Sequence, residues 1–167
     1  MAKPTDENIA LPTFNSQLVT QKNKEFVVTE TNLSEIHANS NKGLIVYFYP
    51  RDNTPGCTTQ AVDFTSMQTQ FSDLGYEIVG ISRDSVESHQ KFITKKELGI
   101  ALISDGDEQL CNHFDVIKEK NMYGKKTMGL VRSTFVFDKA GKLTHAQRNL
   151  RAKEYAQRLY ETLSKLA

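Results

Sequence analysis

The chain has 167 residues, enough for one domain with a continuous core. Its formal net charge of +1 offers no broad field to nucleic acid or anionic lipid, and its longest apolar run, 44–49, is far too short to span a membrane. The polar start Met1–Asn8 lacks the apolar stretch of a secretory signal, so the two cysteines are expected as free thiols in a reducing cytoplasm.

Residues 1–10 are expected as a flexible lead-in and 11–167 as a single domain. Leu18–Thr20 and Phe26–Thr29 flank the polar stretch Gln21–Glu25, the pattern of a small hairpin. The apolar run Leu44–Tyr49 reads as a buried strand. It leads directly into Pro50-Arg51-Asp52-Asn53-Thr54-Pro55-Gly56-Cys57, a turn in which the prolines lose nothing by lacking N–H groups. From Cys57 onward, Ala61, Phe64, Phe71 and Leu74 recur with helical period on one face. Gly75 suits a helix C-cap ahead of a strand at 76–82. Asp84 and Glu87 suggest a capping box for a helix that turns Phe92 and Ile93 inward. Ile100–Ile103 is another short strand, Cys111 falls on a helix face within 107–114, and Lys118–Lys126 reads as a solvated loop. Val131–Asp138 and Lys142–Gln147, joined at Lys139–Gly141, form a second hairpin. A final amphipathic helix turns Tyr155, Ala156, Leu159, Tyr160, Leu163 and Leu166 inward. Strands alternating with helices predict an α/β fold with a central mixed sheet covered by helices on both faces.

Cys57 stands where a thiol becomes reactive, at the mouth of a helix that presents free N–H groups and partial positive charge. A free thiol of pKa about 8.5 is only about 3% ionised at pH 7. Bringing the pKa down to about 6.5 takes about 2.7 kcal/mol, whereas a helix terminus supplies about 0.3–1 kcal/mol. A guanidinium within about 4–6 Å can supply the remainder. The scattered His37, His89 and His145 read as surface residues, and Cys111 with His113 lacks the second ligand pair of a zinc site.

At this turn the chain resembles the peroxiredoxins, whose peroxidatic motif Pro-x-x-x-Thr/Ser-x-x-Cys is matched by Pro50, Thr54 and Cys57. The wider context, Val46–Pro50 and Thr54–Thr58, is most similar to the Q-type branch. Val131–Asp138 looks like the family strand that carries the catalytic arginine, here Arg132. Strand alternation sets Arg132 on one face with Thr134 and Val136, and Val131, Phe135 and Phe137 on the other. The resemblance covers roughly residues 10–167. It implies a thioredoxin-like fold and a thiol-dependent peroxidase that reduces hydrogen peroxide and organic hydroperoxides through a Cys57 sulfenic acid. Full ionisation of the thiol gains only about thirtyfold, so polarisation of the O–O bond by Thr54 and Arg132, with Pro50 shielding the sulfur, carries the rest. No metal, haem or flavin cofactor is implied; the electrons come from a thiol reductant such as thioredoxin, glutaredoxin or glutathione. A monomer or weak homodimer is expected.

The sequence departs from the family in its recycling cysteine. Many Q-type relatives carry a resolving cysteine five residues beyond the first, where this chain has Val62, and others carry it on the next helix, but 84–98 holds none. Cys111 lies fifty-four residues beyond Cys57 and fits neither pattern. Two schemes follow: an external thiol attacks the sulfenic acid directly, which is favoured, or Cys111 condenses with it. An alternative class is a redox sensor or interaction protein, oxidised once and read by a partner. A thioredoxin-like disulfide oxidoreductase is disfavoured because no Cys-x-x-Cys is present.

Overall fold

The computed structural model describes residues 8–166, apart from the Met122 side chain. In chain order the elements are β1 (Ser16–Lys22), β2 (Glu25–Thr31), α1 (Leu33–Ser40), β3 (Gly43–Phe48), α2 (Pro55–Ser66), α3 (Gln68–Leu74), β4 (Tyr76–Ser82) and α4 (Val86–Lys96). There follow β5 (Ala101–Ser104), α5 (Gln109–His113), β6 (Ile117–Met122), β7 (Lys125–Leu130), β8 (Ser133–Phe137), β9 (Leu143–Gln147) and α6 (Tyr155–Leu166). Among the described residues no helix is long and apolar enough to cross a membrane.

The main sheet has seven strands in the order β2-β1-β5-β4-β3-β8-β9, while β6 and β7 form a separate ribbon. β3, β4 and β5 run parallel, and β8 lies antiparallel against β3. All six residues of β3 are buried, which explains its unbroken apolar sequence: both faces of the strand are covered. Alternation divides the core. Ile45 and Tyr47 of β3, with Tyr49 just beyond it, face a layer made by Phe64, Phe71, Phe92 and Leu159 from α2, α3, α4 and α6. Leu44, Val46 and Phe48 face the opposite way, toward Leu33 of α1, Leu110 and Cys111 of α5, and Phe114. The expected mixed sheet with helices on both faces is therefore present.

Several local expectations change. Residues 1–7 of the expected lead-in lie outside the described residues. In the part that is described, Ile9 packs against the core and the Ala10 carbonyl meets His113 Nε2 at 2.7 Å. The helix expected from Cys57 to Leu74 breaks at Met67 (φ −101°, ψ 7°), giving α2 and α3. The cap of α4 is Ser85, whose side chain accepts from Ser88 N at 3.1 Å; Asp84 is committed elsewhere. The expected loop at 118–126 is mostly a hairpin, because Tyr123 and Gly124 take the positive φ values (52° and 79°) that join two strands tightly. Leu166, expected on the inner face of α6, is 43% exposed at its end.

Gly80 marks how tightly the layer beneath α2 is filled. A Cβ there would meet the Tyr47 ring at 2.8 Å and Leu102 Cδ2 at 2.9 Å. Gly80→Ala is expected to destabilise the fold by about 1–3 kcal/mol, as overpacking does, read as a lower midpoint in urea unfolding.

Candidate active site

The site forms where β3 ends. The chain leaves the sheet through the turn 49–54 and re-enters regular structure at α2, with Thr54 as N-cap, Pro55 at the first helical position and Cys57 two residues later. Pro suits that first position because its missing N–H would have had no partner in the helix. The Thr54 carbonyl accepts from Thr58 N at 2.8 Å, and its hydroxyl donates to the Arg51 carbonyl at 2.9 Å. That bond consumes the only hydroxyl proton and leaves the oxygen as an acceptor. Cys57 is 1% exposed. Pro50 is half-buried at the start of the turn.

Arg132 arrives from the other side of β3, immediately ahead of β8. As strand alternation predicts, it shares the α2 side of the sheet with Val136, while Phe135 and Phe137 face the other. Its Nη2 donates to Cys57 Sγ at 3.3 Å and its Nη1 to Gln60 Oε1 at 2.7 Å. The guanidinium is thus held between two side chains of one helix, with its positive charge at the sulfur. Gly56 makes the approach possible: a Cβ there would sit 3.0 Å from Arg132 Nη2. Beneath the sulfur lies Tyr47, whose phenol is pushed well above its usual range by burial, then by the neighbouring Cys57 and Asp52, with Arg132 opposing. It stays neutral there, next to the thiol. Gln60 and Gly56 were not singled out from sequence, although Gln60 stands one helical turn beyond Cys57, where its side chain shares that face.

Asp52 is the second centre of the turn, also unforeseen. Its carboxylate accepts from Tyr49 Oη at 2.6 Å and Ser88 Oγ at 2.8 Å, and faces His89 Nδ1 at 2.7 Å. His89 is therefore not a surface residue: it is fully buried, with Nε2 against the Ile103 carbonyl at 2.9 Å. His37 and His145 are half-buried.

Cys111 is not brought to this site. It packs on the opposite face of the sheet from Cys57, among Val46, Phe48, Val79 and Phe114. Asp105 anchors the start of its helix by accepting from Leu110 N at 3.0 Å and Cys111 N at 2.8 Å. Burial, and then the adjacent Asp105 carboxylate, push the Cys111 thiol far above its ordinary range, so it stays protonated.

Comparison with known proteins shows the family. Residues 10–146 match the model of the AhpC/TSA family. The chain is 45% identical over 135 residues to peroxiredoxin Bcp of Xanthomonas campestris pv. campestris, covering 81% of this chain and 82% of that protein. It is 41% identical over 126 residues to peroxiredoxin Bcp of Bacillus subtilis, covering 75% and 80%. A solved structure of the Xanthomonas campestris bacterioferritin comigratory protein, studied for its alkyl peroxide reduction activity, superposes with a TM-score of 0.82 at 39% identity, over 96% of this chain and 99% of that one.

The two thiols are expected to differ sharply toward an alkylating reagent. In native protein at pH 8, iodoacetamide should modify Cys57 well before Cys111, and unfolding in urea should expose both, as read by peptide mass mapping. Equal native rates would contradict the placement of Cys111.

Proposed function

For a chain that belongs to the AhpC/TSA family and is a thiol peroxidase of the peroxiredoxin type, we propose that Cys57 is the peroxidatic nucleophile and that Arg132, Thr54 and Pro50 complete its site. The observation that carries this reading is the 3.3 Å hydrogen bond from Arg132 Nη2 to Cys57 Sγ. The substrates are a peroxide and a thiol reductant. For the peroxide we include organic hydroperoxides beside hydrogen peroxide, since the similar Xanthomonas protein reduces alkyl peroxides.

The Cys57 thiolate attacks the terminal oxygen of ROOH. The S–O bond forms as the O–O bond breaks, the electron pair leaves on RO, and RO takes a proton to depart as ROH. The sulfur is left as the sulfenic acid, the reversible first stage of cysteine oxidation. Arg132 keeps guanidinium N–H groups beyond its bonds to Cys57 and Gln60, and these meet the charge that develops on the breaking O–O bond. The Thr54 oxygen accepts the peroxide O–H. Pro50 limits water at the sulfur, which strengthens both contacts.

Recycling proceeds by an external thiol. That thiol attacks the Cys57 sulfur, water leaves, and a second thiol reduces the mixed disulfide. Glutathione, glutaredoxin or thioredoxin has the required chemistry. The position of Cys111 across the sheet supports this scheme, because a disulfide needs Cα atoms within about 7 Å. Two free thiols on opposite faces of the sheet also suit a reducing compartment such as the cytoplasm. Every group named comes from a single chain, so a monomer or weak homodimer suffices.

Cys57→Ser should abolish peroxide reduction, and Arg132→Ala should lower kcat/KM by about 100-fold or more with the far-UV spectrum unchanged. Retained turnover in Cys57→Ser would end the assignment. A second measurement addresses recycling: intact mass seconds after one equivalent of hydrogen peroxide should show a trappable sulfenic acid at Cys57 and no disulfide. The Cys111→Ser protein should behave identically, and a rapid Cys57–Cys111 disulfide would replace the one-cysteine scheme.

A further inference from the structure

The turn between β3 and α2 has one buried residue among 51–54, and it is charged. Arg51 and Asn53 are exposed and Thr54 is half-buried, whereas Asp52 is 6% exposed. Burial of a carboxylate is unfavourable unless its oxygens are fully engaged. Here they are: Oδ1 accepts from Tyr49, and Oδ2 accepts from Ser88 and faces His89 Nδ1 at 2.7 Å. The backbone is engaged as well, since Asp52 N donates to Asp84 Oδ2 at 2.8 Å, and Ser82 Oγ donates to the same Asp84 oxygen at 2.6 Å. His89 is fixed from its far side. Its Nε2 lies 2.9 Å from the Ile103 carbonyl, which can only accept, so Nε2 carries a proton, and the 2.7 Å approach of Nδ1 to Asp52 Oδ2 requires a further proton between those two atoms. The side chain and main chain of a single turn residue are thus tied to the end of β4, the start of α4 and, through the imidazole, β5.

We propose that Asp52 and His89 are positioning residues for the peroxidatic turn: together they form a buried clasp that holds Thr54 and Cys57 in register with Arg132. The proposal rests on the peroxidase reading above. Arg132 reaches the sulfur from β8, on one side of β3, while the clasp reaches the turn from β4, α4 and β5, on the other. The turn is therefore held from both flanks of the strand that delivers it. A reacting group displaced by about 1 Å can lose about 100-fold in rate, and Thr54 stands only two residues beyond Asp52. The clasp also acts on the later step. A cysteine that is 1% exposed has to be uncovered before an external thiol can attack its sulfur, and bonds that hold the turn in place oppose that opening.

The opposite signs of these effects give a test that simple destabilisation does not mimic. His89→Asn retains an amide N–H near the position of Nδ1 and can still donate to Asp52. His89→Gln presents its amide near the position of Nε2 and leaves Asp52 without that donor. By stopped flow under single-turnover conditions, sulfenic acid formation with hydrogen peroxide should slow by tenfold or more in His89→Gln and by less than threefold in His89→Asn. Reduction of the oxidised His89→Gln protein by dithiothreitol should be several-fold faster than in the unaltered chain. Should His89→Gln fail to fold, Ser88→Ala removes one donor from the same carboxylate and should slow the peroxide step about threefold with faster reduction. If the folded variants only melt at lower temperature, with both rates within twofold of the unaltered protein, the clasp has no positioning role. If the unaltered protein itself forms no sulfenic acid, the peroxidase assignment fails instead.

Discussion

The contact between Arg132 and Cys57 joins residues seventy-five positions apart, and much of the fold exists in relation to it. β3 carries the turn outward on one side of the sheet, and β8 must lie antiparallel beside it for Arg132 to arrive level with the first turn of α2. A guanidinium has little tolerance for a misplaced approach, because its planar fork fixes the direction of each donor. Gly56 leaves the space and Gln60 takes up the second Nη, so the helix that bears Cys57 also orients the cation beside its sulfur.

The same sheet that assembles the site isolates the second thiol. Cys57 and Cys111 are both buried cysteines, but they are chemically unlike. One sits at a helix mouth with a guanidinium at the sulfur, and the other lies in an apolar layer beside a carboxylate. Positive charge favours the thiolate; burial next to negative charge favours the thiol. Local environment, rather than cysteine content, separates a sulfur beside a cation from one packed beside a carboxylate in this chain.

Much of the site was legible in sequence because its main parts are punctuated locally. Six apolar residues, a proline turn and a cysteine are contiguous, and the alternation in Val131–Phe137 assigned Arg132 its correct face without any coordinates. Asp52 and His89 were not legible, since nothing in a lone Asp within a polar turn or a lone His on a helix announces that the two will be buried together. Their pairing is a property of the crossover from β3 through α2 and α3 to β4 and α4. The ribbon of β6 and β7 was missed for a different reason. Neither of its faces is buried in the sheet, so its sequence shows no alternation between apolar and polar residues. The Ser85 cap lay one residue from the expected Asp84 because Asp84 is drawn away to Ser82 and Asp52.

That ribbon has a consequence for how the molecules behave toward one another. Paired only with each other, β6 and β7 each present an outer row of backbone donors and acceptors, the template on which strands of neighbouring molecules add and aggregates grow. The arm also ends in Tyr123, which is 99% exposed, and carries Met128 at 63%. Although Lys118 pairs with Asp115 and Lys126 with Glu119, the four lysines Lys118, Lys120, Lys125 and Lys126 against the one Glu119 leave the two strands positive, so two such arms repel before they can pair. A chain with a net charge of only +1 gains little colloidal protection from its overall field. Its protection is local, concentrated on a ribbon whose two strands, among the described residues, pair with no third strand.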